Sequence, residues 1–287
     1  MILITGASGN VGREVLRQVA QTGVQVRAAF QSANKATVPP GVEIAIVDFN
    51  QPETLRAAIR GVERVFLVGP PTAQLPALER KAIDVIAKSD VQHVVKLSAM
   101  GGRDAIFTRQ HAESEDYVQS LGVPYTFLRP NGFMQNLVIY NAGPINATGA
   151  FYGSEGDGRV SQIDVRDVAA VAVKALTEDG HVSKAYTLTG PEALTNAEIA
   201  ELLSNVLGRE IRFVNLAPEH LRPALLAAGV PEWSADALLD LQRLYREGKA
   251  AAVTQDVEKI LGRKPASFAD FLPDYRHAFE VQERAVS

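Results

Sequence analysis

With 287 residues, 46% hydrophobic, 22% charged and a net charge of −4, the chain has the composition of a folded globular protein. It has room for one sizeable α/β core and a modest lobe. The absence of cysteine excludes disulfides, thiolate nucleophiles and Cys-ligated zinc or iron–sulfur centres. No run of Lys and Arg is offered to phosphates, so nucleic acid is not expected as a partner. The longest apolar stretch of the second half, Val168 to Leu176, contains Lys174 and is too short for a bilayer, so no membrane partner is expected. A strand-like start at Met1 leaves no room for a leader, and a cytoplasmic location is expected.

In chain order, Ile2–Thr5 reads as a strand, Val11–Gln21 as a helix and Gln25–Phe30 as a second strand. Glu43–Val47 is a third strand, followed by a helix that starts near Pro52, a residue suited to a first helical turn. Arg64–Val68 is a strand, Leu75–Lys88 a helix, His93–Ser98 a strand, Ala105–Leu121 a helix and Tyr125–Arg129 a sixth strand. Alternation with nearly continuous apolar strands predicts a doubly wound, parallel α/β sheet covered on both faces, a Rossmann arrangement. Residues 141–162, rich in Gly, Asn and Ser, read as loops with short strands. A helix over Arg166–Thr177 and a strand over Ala185–Leu188 return to the core, and the chain from Asn196 reads as mainly helical. The expected division is a dinucleotide-binding domain over 1–135, completed by about 160–190. A smaller, mainly helical substrate lobe is expected over 136–160 and 191–287.

The first strand runs into Thr5-Gly6-Ala7-Ser8-Gly9-Asn10-Val11-Gly12, which opens a helix. This strand–turn–helix setting is what a dinucleotide fingerprint requires. Gly6 permits the turn, Gly9 lets backbone approach a pyrophosphate, and Gly12 allows close helix packing. The helix N-terminus then offers free N–H groups and a positive dipole end to phosphate, with Gly6, Ala7, Ser8, Gly9, Asn10 and Val11 as the contacts. The alternative is a Gly-rich turn that only joins two elements.

Further segments accompany this loop: Val47-Asp48-Phe49 after the third strand, Leu97-Ser98-Ala99 ending the fifth, and His111 and Glu115 four apart on the next helix. Pro124-Tyr125-Thr126-Phe127-Leu128-Arg129-Pro130 and Gly229-Val230-Pro231 follow. With Thr-Gly-x-x-Gly-x-x-Gly, this set resembles the NmrA-like group of atypical short-chain dehydrogenase/reductases, especially its bacterial triphenylmethane, quinone and azo dye reductases. The resemblance spans almost the whole chain. It implies that Asp48 receives the adenine amino group, with Phe49 flanking the ring. It also implies that Asn131, Gly132 and Phe133 line the nicotinamide.

Sites that prefer NAD carry an acid near the end of the second strand. Here Phe30-Gln31-Ser32-Ala33-Asn34-Lys35 has none, so a 2′-phosphate meets no repulsion, and Gln31, Ser32 and Lys35 are its candidate donors. Lys35 reads equally well as a solvated loop charge. The expected cofactor is NADP(H), with NAD(H) use open, and neither flavin nor metal is expected. Gly69, Pro70 and Pro71 follow the fourth strand, at the sheet edge where ligands sit in such folds.

Most short-chain dehydrogenases place a Tyr-x-x-x-Lys pair on the helix after the fifth strand, whose Tyr exchanges a proton with the substrate. Here those positions read Phe107-x-x-x-His111. The one literal match, Tyr245 to Lys249, falls more than a hundred residues later and reads as coincidence. The reading weakens alcohol dehydrogenase, epimerase and dehydratase functions. It favours hydride transfer to a small, planar, conjugated acceptor such as a quinone, azo compound or triarylmethane dye. His111 is the leading polar catalytic candidate, toward substrate or nicotinamide ribose; its alternative is a surface His paired with Glu115. Ser98 is a second candidate donor, its alternative a polar strand terminus. His111 and Glu115 supply too few ligands for a metal. Phe107, Phe133, Met134, Tyr140 and Trp233 are candidates for an aromatic acceptor pocket, with core packing as the alternative for each. The competing function is a dinucleotide-sensing regulator that binds NAD(P) without turnover.

Overall fold

The computed structural model describes residues 1–33 and 36–280, so Lys35 lies outside the described residues. Seven strands form one parallel sheet: β1 (Ile2–Ile4), β2 (Val26–Phe30), β3 (Glu43–Ile46), β4 (Arg64–Leu67), β5 (His93–Leu97), β6 (Tyr125–Pro130) and, later in the chain, β8 (Lys184–Leu188). Their order is β3-β2-β1-β4-β5-β6-β8. The chain winds outward from β1 to β3, then returns to place β4 on the other flank of β1, giving a topological switch point between β1 and β4. The helices α1 (Asn10–Val19), α2 (Pro52–Ala58), α3 (Leu75–Ile86), α4 (Ile106–Ser120) and α6 (Val165–Thr177) cover the faces. The central strands β1 and β5 are buried along their whole length, which is why they read as continuous apolar runs rather than alternating ones.

On one face, Leu3, Val65, Leu67, Val94 and Phe127 pack with Leu55, Ile83, Ile86 and Val118 into a single core. On the helix side of that core, α3 supplies Ala82, Ile83, Val85 and Ile86 from its apolar stripe, which Leu75 and Leu78 extend. The expected doubly wound α/β sheet is present, with element ends shifted by one or two residues from the sequence reading.

Two compact units divide the chain. The first comprises Met1–Pro130, Val165–Leu188 and Gln255–Arg263, and the second Asn131–Asp164, Thr189–Thr254 and Lys264–Ser287. The short α10 (Asp256–Leu261) was not expected in the first unit. There the Thr187 amide donates to Asp256 at 2.8 Å and Arg263 pairs with buried Asp167 at 2.6 Å.

The second unit contains α5 (Gln135–Thr148), β7 (Ala150–Gly153), α7 (Asn196–Leu207), β9 (Arg212–Asn215), α8 (Pro218–Ala227), α9 (Glu232–Arg246) and α11 (Phe268–Tyr275). β7 and β9 form a parallel pair. Two expectations are corrected here. The segment 141–148 is helical, not loop, despite Asn141, Gly143 and Pro144. Burial of Leu137 and Ile145 in the core with Ile199, Leu203 and Phe271 outweighs their poor helix propensity. Strand β9, Arg-Phe-Val-Asn, was hidden in a region whose surroundings are helical. No helix among the described residues is long and apolar enough to cross a membrane.

Candidate active site

Because the sheet is parallel, the carboxyl ends of its strands share one edge, and the candidate residues of the first unit follow those ends. At the switch point, Thr5 joins β1 to β4. Its amide donates to Phe66 O at 3.0 Å, its hydroxyl lies 3.1 Å from both Phe66 O and Val68 O, and it accepts from Val68 N–H at 2.8 Å. Gly6 then takes φ +60°, and a Cβ there would lie 2.6 Å from Val68 Cγ1, so glycine is required on both counts. The Gly9 amide donates to Gly6 O at 2.9 Å, and the first helical bond is Arg13 N–H to Gly9 O at 3.0 Å. The amides of Asn10, Val11 and Gly12 therefore precede the helical ladder at an end whose cap has no side-chain acceptor. Gly6, Ser8 and Gly9 are exposed, Asn10 is half-buried, and Ala7 and Val11 are buried beneath them. This cradle fits a dinucleotide pyrophosphate.

Around it, Gln31 is exposed and Ser32 half-buried just past the end of β2. Asp48 and Phe49 follow β3, both half-buried; Asp48 Oδ1 accepts from the Asn50 amide at 2.8 Å, and Phe49 packs on the core. Gly69 follows β4, and Pro70 and Pro71 are exposed. The backbone of this last segment is held from two helices. The Gly69 amide donates to Glu79 Oε1 of α3 at 3.2 Å, and Gln110 Nε2 of α4 donates to Ala73 O at 3.1 Å.

The sequence reading missed the most buried charges of the unit. Lys96, on the same face of β5 as Val94, is fully buried and lies 3.0 Å from Glu79 Oε2, itself fully buried. A lysine inside Val94-Val95-Lys96-Leu97 and a glutamate on the apolar stripe of α3 were the available signals. Lys96 Nζ also donates to Leu97 O at 2.9 Å and lies 3.2 Å from His111 Nδ1. His111 is therefore not the surface residue of the i,i+4 alternative; it is 5% exposed, with its ring edge-on to half-buried Phe107 at 4.8 Å. Burial, followed by the charge of Lys96, holds its pKa well below the ordinary imidazole range.

Glu115 has other partners. Arg129 at the end of β6 grips it through two bonds, Nε to Oε1 at 2.9 Å and Nη2 to Oε2 at 2.5 Å. Buried Ser98 donates its hydroxyl to Glu115 Oε1 at 2.5 Å. Ser98 is thus an anchor for this carboxylate rather than an open donor, because its one proton is already committed.

The remaining candidates belong to the second unit. The buried Asn131 side chain donates to Ser161 Oγ at 2.9 Å and Ala250 O at 2.8 Å, and accepts from the Gly132 amide at 2.9 Å. Its amide shapes the segment, and the backbone around Gly132 and half-buried Phe133 is what remains available. Met134 is corrected: it is fully buried with Leu137, Ile145 and Phe151, a core residue and not a pocket wall. Tyr140 is strongly exposed and Trp233 half-buried. Tyr245 closes α9 beside Gly132, where a Cβ would lie 3.3 Å from its hydroxyl. Burial and the nearby Glu155 raise its pKa, the opposite of what a proton-exchanging Tyr needs. Among the described residues no group of His, Asp and Glu is arranged to hold a metal ion.

The NmrA-like family model matches residues 1–273. The chain is 38% identical over 284 residues to the NAD(P)H azoreductase of Xenophilus azovorans, covering 97% of this chain and 99% of that one. It is 40% identical over 285 residues to the (4-alkanoyl-5-oxo-2,5-dihydrofuran-3-yl)methyl phosphate reductase of Streptomyces griseus, covering 97% and 99%. The NADPH-dependent quinone oxidoreductase of Escherichia coli, solved in complex with NADPH, superposes with a TM-score of 0.88 at 26% identity over 98% of this chain and all of that one. A family match over nearly the full length, a glycine cradle at the β1/β4 switch point and a doubly wound sheet agree: this chain belongs to the NmrA-like family.

Proposed function

We propose that the chain is an NADPH-dependent reductase that passes hydride to a small, planar, conjugated acceptor such as a quinone, azo compound or triarylmethane dye, without a Tyr-x-x-x-Lys pair. The observation that carries this reading is the Gly6–Gly12 cradle at the switch point, in a chain alike over its length to an NAD(P)H azoreductase. The nicotinamide cofactor, when bound, supplies the hydride. The chain's own part is to bind and orient. The amides of Asn10, Val11 and Gly12 face the pyrophosphate, Gln31 and Ser32 meet the 2′-phosphate, and Asp48 meets the adenine.

Phe107 has no proton to give and Ser98 has spent its own on Glu115. An acceptor whose reduced anion is delocalised, or protonated by water, suits such a site. The second unit, carrying Phe133, Tyr140 and Trp233, is assigned the acceptor-binding role. A cytoplasmic location accompanies this reading.

The test is steady-state oxidation of NADPH and NADH with naphthoquinones, azo dyes and triarylmethane dyes. Turnover of at least one class, faster with NADPH, is the expected result. Tight NADPH binding with no turnover of any acceptor would overturn it in favour of a dinucleotide-sensing regulator.

A further inference from the structure

Three buried acceptors surround one ammonium group. Lys96 Nζ lies 3.0 Å from Glu79 Oε2, 2.9 Å from Leu97 O and 3.2 Å from His111 Nδ1. An ammonium carries three N–H bonds and no lone pair, so every partner it contacts must accept. Its hydrogen bonds go to Leu97 O and His111 Nδ1, and the ion pair with Glu79 Oε2 balances the buried charge. Glu79 is the acidic end of the pair, and its other oxygen accepts from the Gly69 amide at 3.2 Å. The Nδ1 of His111 must then be the acceptor, and the single proton of the neutral ring sits on Nε2.

We propose that Lys96, held by Glu79, is a positioning residue that fixes His111 as the neutral, Nε2-protonated tautomer. The ring then presents a hydrogen-bond donor at Nε2 and cannot serve as a base there. The same pair carries the Gly69 backbone through Glu79, so one buried network sets both the imidazole of α4 and the segment after β4. The charged groups around the ring agree with a neutral state. Lys96 faces it from β5 with Glu79 of α3 behind, while Glu115, on its own helix, is engaged by Arg129 and Ser98. That the Nε2–H is used toward acceptor or cofactor rests on the proposed function; the tautomer itself does not.

The experiment uses the full chain with 15N-labelled histidine, its ring nitrogens observed by long-range 1H–15N correlation and His111 assigned by its loss in His111→Asn. The expected wild-type pattern is protonated Nε2 and unprotonated Nδ1, unchanged from about pH 8 to pH 5. Lys96→Met alone strands Glu79 in the core, so the informative variant is Lys96→Met with Glu79→Gln, which removes both charges. There the Nδ1 protonated form should become populated and the ring should titrate at least one pH unit higher. In the same variant kcat should fall about tenfold with the NADPH KM changed far less, the signature of a displaced donor.

A wild-type ring protonated at Nδ1, or a double variant with unaltered tautomer and titration, would overturn the positioning role. Absence of turnover in the wild type, with the expected tautomer in place, would instead overturn the proposed function and leave this inference standing.

Discussion

Gly12→Ala tests the phosphate cradle most directly, because the obstacle to a side chain there is backbone. A Cβ on Gly12 would lie 2.2 Å from Gly6 O, 2.8 Å from Gly6 C and 3.2 Å from Thr5 O. Moving 2.2 Å out to an ordinary carbon–oxygen contact requires a retreat of about 1 Å, and neither the turn nor the helix has a flexible side chain to yield. Overpacking of this kind costs about 1–3 kcal/mol. The same shift carries the amides of Asn10, Val11 and Gly12 away from the position proposed for the pyrophosphate. A charge-assisted bond contributes about 1.5–3 kcal/mol, so spoiling even one weakens NADPH by at least about tenfold.

Two companions separate folding from binding. Gly9→Ala meets only Gly6 O, at 3.2 Å, and should weaken NADPH with little loss of stability. Gly23→Ala has open space but φ +79°, so it should lower stability by about 1 kcal/mol and leave NADPH binding intact. The assays are NADPH fluorescence titration and thermal melts with and without NADPH. A Gly12→Ala protein that melts with the wild type and binds NADPH within about twofold of it would refute the cradle.

Two further outcomes follow from charge. His93 is buried, its Nε2 bonded to Thr126 Oγ1 at 2.8 Å, and burial with the nearby Arg64 pushes its pKa down to about 4. His111 is shifted in the same direction. Both pKa values are lowered on folding, so near pH 6.5 the unfolded chain takes up protons that the folded chain refuses. Stability is therefore full above about pH 6.5 and falls toward pH 5, by up to about 1.4 kcal/mol per unit for each histidine. Urea unfolding across that window should show the slope and His93→Gln should reduce it; an unchanged slope would refute the assignment. Gln31→Glu places a carboxylate past β2 at an exposed position, where like charges cost about 1 kcal/mol or somewhat more. The ratio of NADPH to NADH kcat/KM should drop by about tenfold, and an unmoved ratio would show that this loop does not discriminate.

What could be read from the sequence was what local chemistry determines. The turn at Gly6 and the close packing at Gly12 are set by a few consecutive residues, and their glycines stood out accordingly. Glu115 illustrates the limit. Helical spacing offered it to His111, but Arg129 of β6 holds it bidentately, a partner that only the sheet brings near. Lys96 and Glu79 lie seventeen residues apart, and their meeting depends on α3 crossing from β4 to β5, with Leu67 and Lys96 in register across those strands. Each was visible alone as a charge in an apolar pattern; the pairing was not. For α5, local propensity pointed toward loop, and burial of Leu137 and Ile145 decided for helix.

The missing tyrosine and the buried lysine bear on one question, where an exchangeable proton can be found. At position 107 there is an aromatic ring without a hydroxyl. Ser98, the hydroxyl candidate of the sequence reading, gives its proton to a carboxylate that Arg129 also holds. The ammonium of Lys96 is bonded to Leu97 O and His111 Nδ1 and paired with Glu79, all of them buried. His111, neutral by burial and by its cationic neighbour, has one N–H and no spare proton. A group that donates a hydrogen bond without surrendering the proton stabilises negative charge as it develops, yet cannot complete the reduction of a simple ketone. Under the proposed function this favours acceptors that spread the incoming electron pair over a conjugated frame and take their proton later from water. The buried Glu79–Lys96 pair then matters for more than packing: by occupying Nδ1, it leaves the imidazole with a donor as its only remaining polar contact.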